Sequence, residues 1–594
     1  MAINSTRDDE ELEESLKWDV LKRLFRYLFD YKKKIVLVVA LIMVSVGIGI
    51  AYPLIIERMI DVEIMNKDIK GLLIMAALMV GLSAVYFVCE RIWRTFMADI
   101  SNDVVFKIRK SLYVHIQDLG VDFFDGRPAG KILARVTGDV NSLKDVLSST
   151  ITQFIPEIFT IVVVAVVMFS ISPILTLGAM ASIPVIVGGT FLFEILAHKK
   201  WQIMRKKESN LTAFIHESIE GVGIIQSFSA EKEANAEFSD IVDEHRISFR
   251  NAVRLADIFS PTVEISFGVG TVLMYYLAAK NLGLTEESIG TLTAFTMYFW
   301  MFFGPIRNLA NYYNKLITNI SAAERIFEIM DIDPLVKDIK GAKELPSIEG
   351  DVRFEHVDFA YPDEPDADIL HDVSFSAKSG ETIALVGPTG AGKTTIVSLL
   401  SRFYNTKSGT VYVDEHDISK FTVKSLRSQL GIMTQDNYLF SGTIRDNIKY
   451  GKPDATDEEM IEAAKAVHAH DFIIKLENGY DTEITERGGG LSIGQRQLIA
   501  FARTLVTDPK ILILDEATSS IDTNTEILVQ QGIAELLKKR TSFVVAHRLS
   551  TIKNADRIFV IDDGGILEMG NHESLMERKG AYYNLYTSQF VSAS

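Results

Sequence analysis

Residues 491–522, LSIGQRQLIAFARTLVTDPKILILDEATSSID, decide how this 594-residue chain is read. A glycine-containing loop, LSIGQ, opens a run with helical spacing, and four apolar residues, 511–514, then end on Asp515 and Glu516. An uninterrupted short apolar run is the pattern of a strand buried on both faces of a parallel sheet. A carboxylate at the tip of such a strand is how phosphate-binding ATPases hold Mg²⁺, and a second acid beside it can polarise an attacking water. Upstream, residues 382–386 form another buried-strand run leading into Gly387-Pro388-Thr389-Gly390-Ala391-Gly392-Lys393-Thr394-Thr395. This fits G-x-x-x-x-G-K-[ST], the Walker A pattern, between a strand and a helix, which is the context the motif requires. Gly387, Gly390 and Gly392 let backbone N–H groups approach phosphates at a helix N-terminus. Lys393 reaches the β- and γ-phosphates and the Thr394 hydroxyl ligates the metal, so the expected cofactors are ATP and Mg²⁺.

LSIGQ a short, fixed distance before LDEATSSID resembles the ABC ATPase family. One letter departs from it, because Ile493 stands where the common signature, LSGGQ, has glycine. The resemblance implies the remaining roles. Tyr361, after the alternating run 352–359, would stack on adenine. Gln435, closing the short strand 431–435, would contact Mg²⁺ or the attacking water, so that Thr394, Gln435 and Asp515 form the metal set. Glu516 would be the general base, and His547, after Val544-Val545-Ala546, would touch the γ-phosphate. Leu491, Ser492, Ile493, Gly494, Gln495 and Asp522 would complete an ATP site on a partner. Residues 485–488, TERG, resemble the segment that meets the membrane loops in exporters. His468 and His470 fit no ligand spacing.

Outside this half, composition points to a membrane. Hydrophobic residues make up 48% of the chain, and a net charge of −17 argues against nucleic-acid partners. Cys89 is the single cysteine, which rules out an intrachain disulfide and a cysteine-based metal site. Residues 1–16 read as an acidic tail without the pattern of a cleavable signal. Residues 17–31 place Trp18, Leu21, Phe25, Leu28 and Phe29 on one helical face next to cationic groups, an arrangement suited to the bilayer interface.

Residues 35–56 carry no charge, and about 20 helical residues cross a hydrocarbon core of ~30 Å. Similar runs at 71–89, 158–193 (broken at Ser172-Pro173), 265–279 and 289–306 bring the expected number of spans to six. Lys32–Lys34, the 91–110 region, 199–207 and Arg307 lie on one side, which the positive-inside rule makes cytoplasmic, with both termini. The two long connections on that side, about 94–148 and 198–256, keep helical patterning. Residues 123–140 and 208–231 resemble the intracellular loops by which ABC exporters dock on their ATPase domains. Gly126, Pro128 and Gly130 are expected to turn the first, and the polar and small residues 210–220 the second.

The expected architecture is therefore multidomain. A six-helix transmembrane α domain (17–330) and a linker (331–350) precede an α/β P-loop ATPase domain (351–594). It resembles a half-transporter of the multidrug-resistance-like, type IV exporter kind. By that resemblance it moves drugs or other hydrophobic and amphiphilic compounds across the bacterial cytoplasmic membrane by alternating access. A lipid floppase with the same engine, or an ATP-gated channel or regulator, are the alternatives. Glu157, Glu194 and Glu264 at the span ends and aromatic Phe299 are candidate cargo-cavity residues that would favour cationic amphiphiles. One chain holds one P-loop and one signature, so it is expected to pair with a second half-transporter. Ile493 beside an intact Glu516 points to a heterodimer, with a homodimer as the alternative.

Overall fold

The computed structural model describes residues 18–181, 183–281, 289–434, 437–485, 488–515, 523–546 and 549–588. The chain forms two compact units: Met1–Tyr113 with Leu133–Ile329, and Val114–Ile132 with Met330–Ser594.

The first unit is helical. Among the described residues four helices are long and apolar enough to cross a membrane: Trp18–Ile64, Ile69–Asp118, Ala129–Ile171 and Ile289–Ile306. The other two expected spans fall within Pro173–Met180 with Ile183–Glu220, and within Glu231–Asn281. Outward-facing Val80, Phe87, Val162, Val166 and Leu177 are exposed, as lipid-facing positions are where water is absent. Trp18 and Phe29 are also exposed while Leu24 and Leu28 are buried, so the first helix keeps an unpartnered apolar face.

Helix breaks have local causes. Ser172 adopts extended backbone (φ −157°, ψ 107°) ahead of Pro173, and its hydroxyl accepts a hydrogen bond from the Leu175 N–H. In the second long connection, the chain stays helical through residues 210–220, contrary to the turn expected there. Polarity alone does not break a helix: the Thr212 hydroxyl donates to the Glu208 carbonyl one turn back, and His216 lies 3.5 Å from Glu220. The turn falls at Gly221, after which Val222–Ser227 forms a short separate helix.

Charged groups tie the ends of the helix Ile289–Asp331 in place. At its start the Asp61 carboxylate accepts the backbone N–H groups of Gly290 (2.6 Å) and Thr291 (2.9 Å), two donors that a helix N-terminus cannot satisfy internally. Near its other end, Arg325 donates to both oxygens of Asp139 (3.0 and 2.7 Å), and Arg135 adds a third bond at 2.9 Å. Between them, Tyr298, Phe299, Phe302 and Phe303 pack with Phe267, Met274 and Met168 in the bundle core, and the Tyr298 hydroxyl donates to the Ile50 carbonyl.

The second unit is an α/β domain. Six strands pair in the order Gly565–Gly570, Arg557–Asp562, Thr382–Val386, Thr541–Val545, Ile511–Asp515, Leu430–Met433. All pairings are parallel except the first. Strand Thr382–Val386 shows why its run is unbroken. Ala384 and Val386 face one core with Leu498 and Phe501, while Ile383 and Leu385 face another with Phe354 and Phe375. An antiparallel sheet, with Val352–Ala360 between Asp368–Ala377 and Ser408–Val413, covers the second face.

The expected linker belongs to this unit. Leu345 and Ile348 are buried in its core, and buried Arg402 donates to the carbonyls of Lys337, Ile418, Ser419 and Phe421.

Candidate nucleotide-binding site

The phosphate loop is held by conformation and by crowding. It runs from the strand Thr382–Val386 to the helix Lys393–Leu400. Gly387, Gly390 and Gly392 all have positive φ (153°, 87° and 100°), the left-handed region that side chains disfavour. At Gly387 a Cβ would also lie 2.0 Å from the Ile561 carbonyl oxygen, and at Gly392 it would lie 2.7 Å from the Leu370 side chain. Lys393 folds back so that its ammonium donates to the carbonyls of Gly387 (2.9 Å) and Pro388 (2.7 Å). Burial holds its pKa below the ordinary lysine value, with the negative charge of Asp515 acting in the opposite direction. Thr394 is exposed, while its neighbour Thr395 is buried and shares a hydrogen bond of 3.1 Å with the Tyr361 hydroxyl. Ala391 is buried in the core under the loop, and Pro388 and Thr389 form its outer rim.

Strand register brings the acidic tip to the same edge. Val545 pairs with both Leu385 and Asp515, and Met433 pairs with Leu514. Three strands therefore end side by side next to the phosphate loop. Gln435, Glu516 and His547 each follow one of these tips by one or two residues. All three lie outside the described residues, as do Asp522 and the side chain of Glu194.

The signature loop has a clear local cause. Ser492 caps the helix Ile493–Leu505: its hydroxyl accepts from the Gln495 N–H (3.2 Å), and the Gln495 side chain accepts from the Ser492 N–H (2.9 Å). Leu491 and Gly494 are buried, Ser492 is exposed and Ile493 is 44% exposed. Ile493 has no positive φ, so glycine is not needed there for backbone conformation, and the difference it makes is steric.

One participant was not singled out by sequence. Tyr404 is buried, and its ring meets Phe359 and Tyr361 edge-on at 5.6 and 5.3 Å. Its hydroxyl donates to Asp125 at 2.8 Å, in the short helix Val121–Asp125 that Gly126 terminates. Phe123 of the same helix is buried under the Arg127 guanidinium, 4.6 Å from the ring centre. The first loop thus reaches, through one side chain, the tyrosine expected at the adenine. Burial, and then the bond to Asp125, pushes the Tyr404 phenol pKa far above its usual value, so it remains a donor. Only its chain position shortly after the P-loop helix could have hinted at this.

Of the four candidate cargo-cavity residues, the three whose side chains are described have different surroundings. Glu157 accepts a hydrogen bond from the Asn308 side chain (2.9 Å), Glu264 is exposed, and Phe299 is fully buried against Phe267 and Phe303.

Comparison with known proteins agrees with this geometry. Residues 35–306 match the ABC transporter transmembrane region, and residues 370–519 match the ABC transporter family. The chain is 40% identical over 590 residues to the uncharacterized ABC transporter ATP-binding protein YknV of Bacillus subtilis, covering 98% of this chain and 97% of that one. It is 35% identical over 586 residues to a putative multidrug export ATP-binding/permease protein of Staphylococcus aureus, covering 96% and 100%. A solved structure of a bacterial Atm1-family ABC exporter with ATP bound superposes with a TM-score of 0.78 at 26% identity, covering 94% of this chain and 98% of that one. The chain is thus a member of the ABC transporter family: a multi-pass, exporter-type half-transporter that binds ATP and couples its hydrolysis to export.

Proposed function

We propose that the chain is the base-bearing half of a heterodimeric bacterial exporter of hydrophobic or amphiphilic compounds. Charge asymmetry along the spans supports a cytoplasmic ATPase unit and cytoplasmic termini. Lys393 and the glycine loop would hold the β- and γ-phosphates, Thr394, Gln435 and Asp515 would hold Mg²⁺, and Tyr361 would pack on adenine. Glu516 would activate water, with His547 at the γ-phosphate. Exporters of this family work as pairs, and the multidrug name carried by a full-length relative supports the cargo class.

Ile493 carries the heterodimer reading. Its side chain stands exposed at the first position of the signature helix, next to the exposed capping Ser492. A helix start offers free N–H groups to an anion. A branched side chain there covers apolar area on the path of a partner's γ-phosphate, whereas glycine would leave it open. The site that uses Ile493 would be the slow one, and the site that uses Glu516 would be completed by a partner's standard signature. Affinity purification from the native membrane should co-isolate a second half-transporter. A pure single chain that dimerises and hydrolyses ATP at full rate from two equivalent sites would overturn the reading. ATP-dependent uptake of hydrophobic dyes into inverted vesicles tests export separately, and uptake of labelled lipid alone would favour the floppase alternative.

A further inference from the structure

Within the membrane unit, helices Lys32–Arg58, Ile69–Asp118 and Val140–Ser149 and the chain that follows them enclose a cavity of about 580 Å³. That volume falls in the range typical of small-ligand sites, roughly 300–1,000 Å³. Its lining includes apolar Ile42, Val46 and Met97. Donors line it as well. Its charged lining residues are Glu90, Arg94 and Lys144, a net charge of +1 from one acid and two bases. Glu90 is already taken, because it pairs with Arg94 one helical turn along. Lys144 forms no ion pair with a described residue. The indole N–H of Trp93, which also lines the cavity, is buried and has no hydrogen-bond partner. A buried donor left unpaired costs about 1–3 kcal/mol, so a cavity lined by such a donor and by Lys144 is complementary to an acceptor that the described residues do not provide.

Position identifies the acceptor. Trp93 and Arg94 lie about one helical turn beyond the uncharged run 71–89, at the depth where a bilayer passes from acyl chains to headgroups. We infer that this cavity binds the anionic headgroup of an amphiphile, a carboxylate or a phosphate ester. Lys144 and the Trp93 N–H hold the headgroup, and the hydrocarbon chain lies along Ile42 and Val46. The sign is opposite to that expected from the intramembrane glutamates. Glu157 does not line this cavity and is occupied by Asn308. The inference rests on the export reading only for what becomes of the bound molecule.

Binding is tested without nucleotide, on the full chain in phosphatidylcholine nanodiscs. Trp18, Trp201 and Trp300 are replaced by Phe so that Trp93 is the only tryptophan, excited selectively at the red edge of its absorption. The probe is 2,3-dibromostearate, whose bromines lie beside the carboxylate and quench indole on contact, compared with a 2,3-dibromoalkyltrimethylammonium of equal chain length. Saturable quenching by the anionic probe is expected. It should weaken about tenfold in Lys144→Gln, the loss of one charge-assisted bond, and return in Lys144→Arg. No quenching, equal quenching by the cationic probe, or full binding in Lys144→Gln would each overturn the inference. Phosphatidylglycerol added to the nanodisc separates the sources. Displacement of the probe identifies a bilayer lipid as the occupant, and persistence of the probe identifies a free amphiphile; the headgroup chemistry stands in both cases. Quenching as expected without ATP-dependent uptake would instead remove the export reading and leave the site.

Discussion

Removing a single oxygen should loosen the segment 114–132 by a calculable amount. In Tyr404→Phe the ring keeps its contacts with Phe359 and Tyr361, and only the 2.8 Å bond to Asp125 is lost. Hydrogen bonds to charged groups contribute about 1.5–3 kcal/mol when the acceptor cannot find another partner. Asp125 is exposed and regains water, so the loss falls just below that range, about 1–1.5 kcal/mol. That corresponds to roughly a five- to tenfold change in the equilibrium between docked and undocked loop. Hydrogen–deuterium exchange reads this equilibrium directly, since local opening sets the amide exchange rate. Peptides covering residues 114–132 should exchange about five to ten times faster in the variant, with the sheet around residues 541–545 unchanged. Asp125→Ala, which removes the acceptor, should produce a similar change, and the double variant should add little to either single one. Exchange in 114–132 within twofold of the parent, or full additivity of the two substitutions, would refute the reasoning. Because the hydroxyl also sits beside Tyr361, cargo-stimulated ATP hydrolysis is expected to fall more than basal hydrolysis.

Other perturbations give distinct signatures. Gly387→Ala places a Cβ 2.0 Å from the Ile561 carbonyl oxygen at φ +153° and should abolish binding of a fluorescent ATP analogue. Gly390→Ala meets nothing within 4 Å, so only its backbone strain remains, and binding should weaken by about tenfold at most. Ser492→Ala removes the cap of the signature helix, a loss of about 1 kcal/mol, and should raise amide exchange in residues 493–497 several-fold. Asp139→Asn leaves the half-buried Arg325 and Arg135 without their carboxylate, a cost of about 2 kcal/mol. It should show as a lower midpoint for thermal exposure of Cys89, followed with a thiol-reactive dye.

What could be read before any coordinates was whatever a single local rule controls. The apolar runs at 382–386 and 511–514 became strands Thr382–Val386 and Ile511–Asp515, because two packed faces leave no room for a polar residue in either. Ser172-Pro173 broke the long apolar stretch, because proline constrains the residue before it to extended backbone. The turn assigned to 210–220 failed because polar residues tolerate a helix, and a glycine just beyond them ends it. Tyr404 went unnoticed because its partner lies 279 positions away, and no periodicity encodes such a pairing. The sign of the membrane cavity was equally hidden. Counting acids in the spans cannot show that Glu90 is paired with Arg94 and Glu157 hydrogen-bonded by Asn308, nor that Lys144 and Trp93 line one cavity.

The helix Ile289–Asp331 is gripped at both ends, by Asp61 at Gly290 and by Asp139 at Arg325. At 1.5 Å and 100° per residue, those grips are about 50 Å apart and separated by nearly ten turns. A single residue inserted between them would rotate Arg325 by about 100°, away from Asp139, however well the new residue suited the bilayer. Seven inserted residues would nearly restore the angle but displace the contact by about 10 Å along the axis. The helix therefore has a phase as well as a length. Substitutions along it can be frequent while insertions and deletions are rare, and any length change that survives should be matched by one in the helices that carry Asp61 and Asp139.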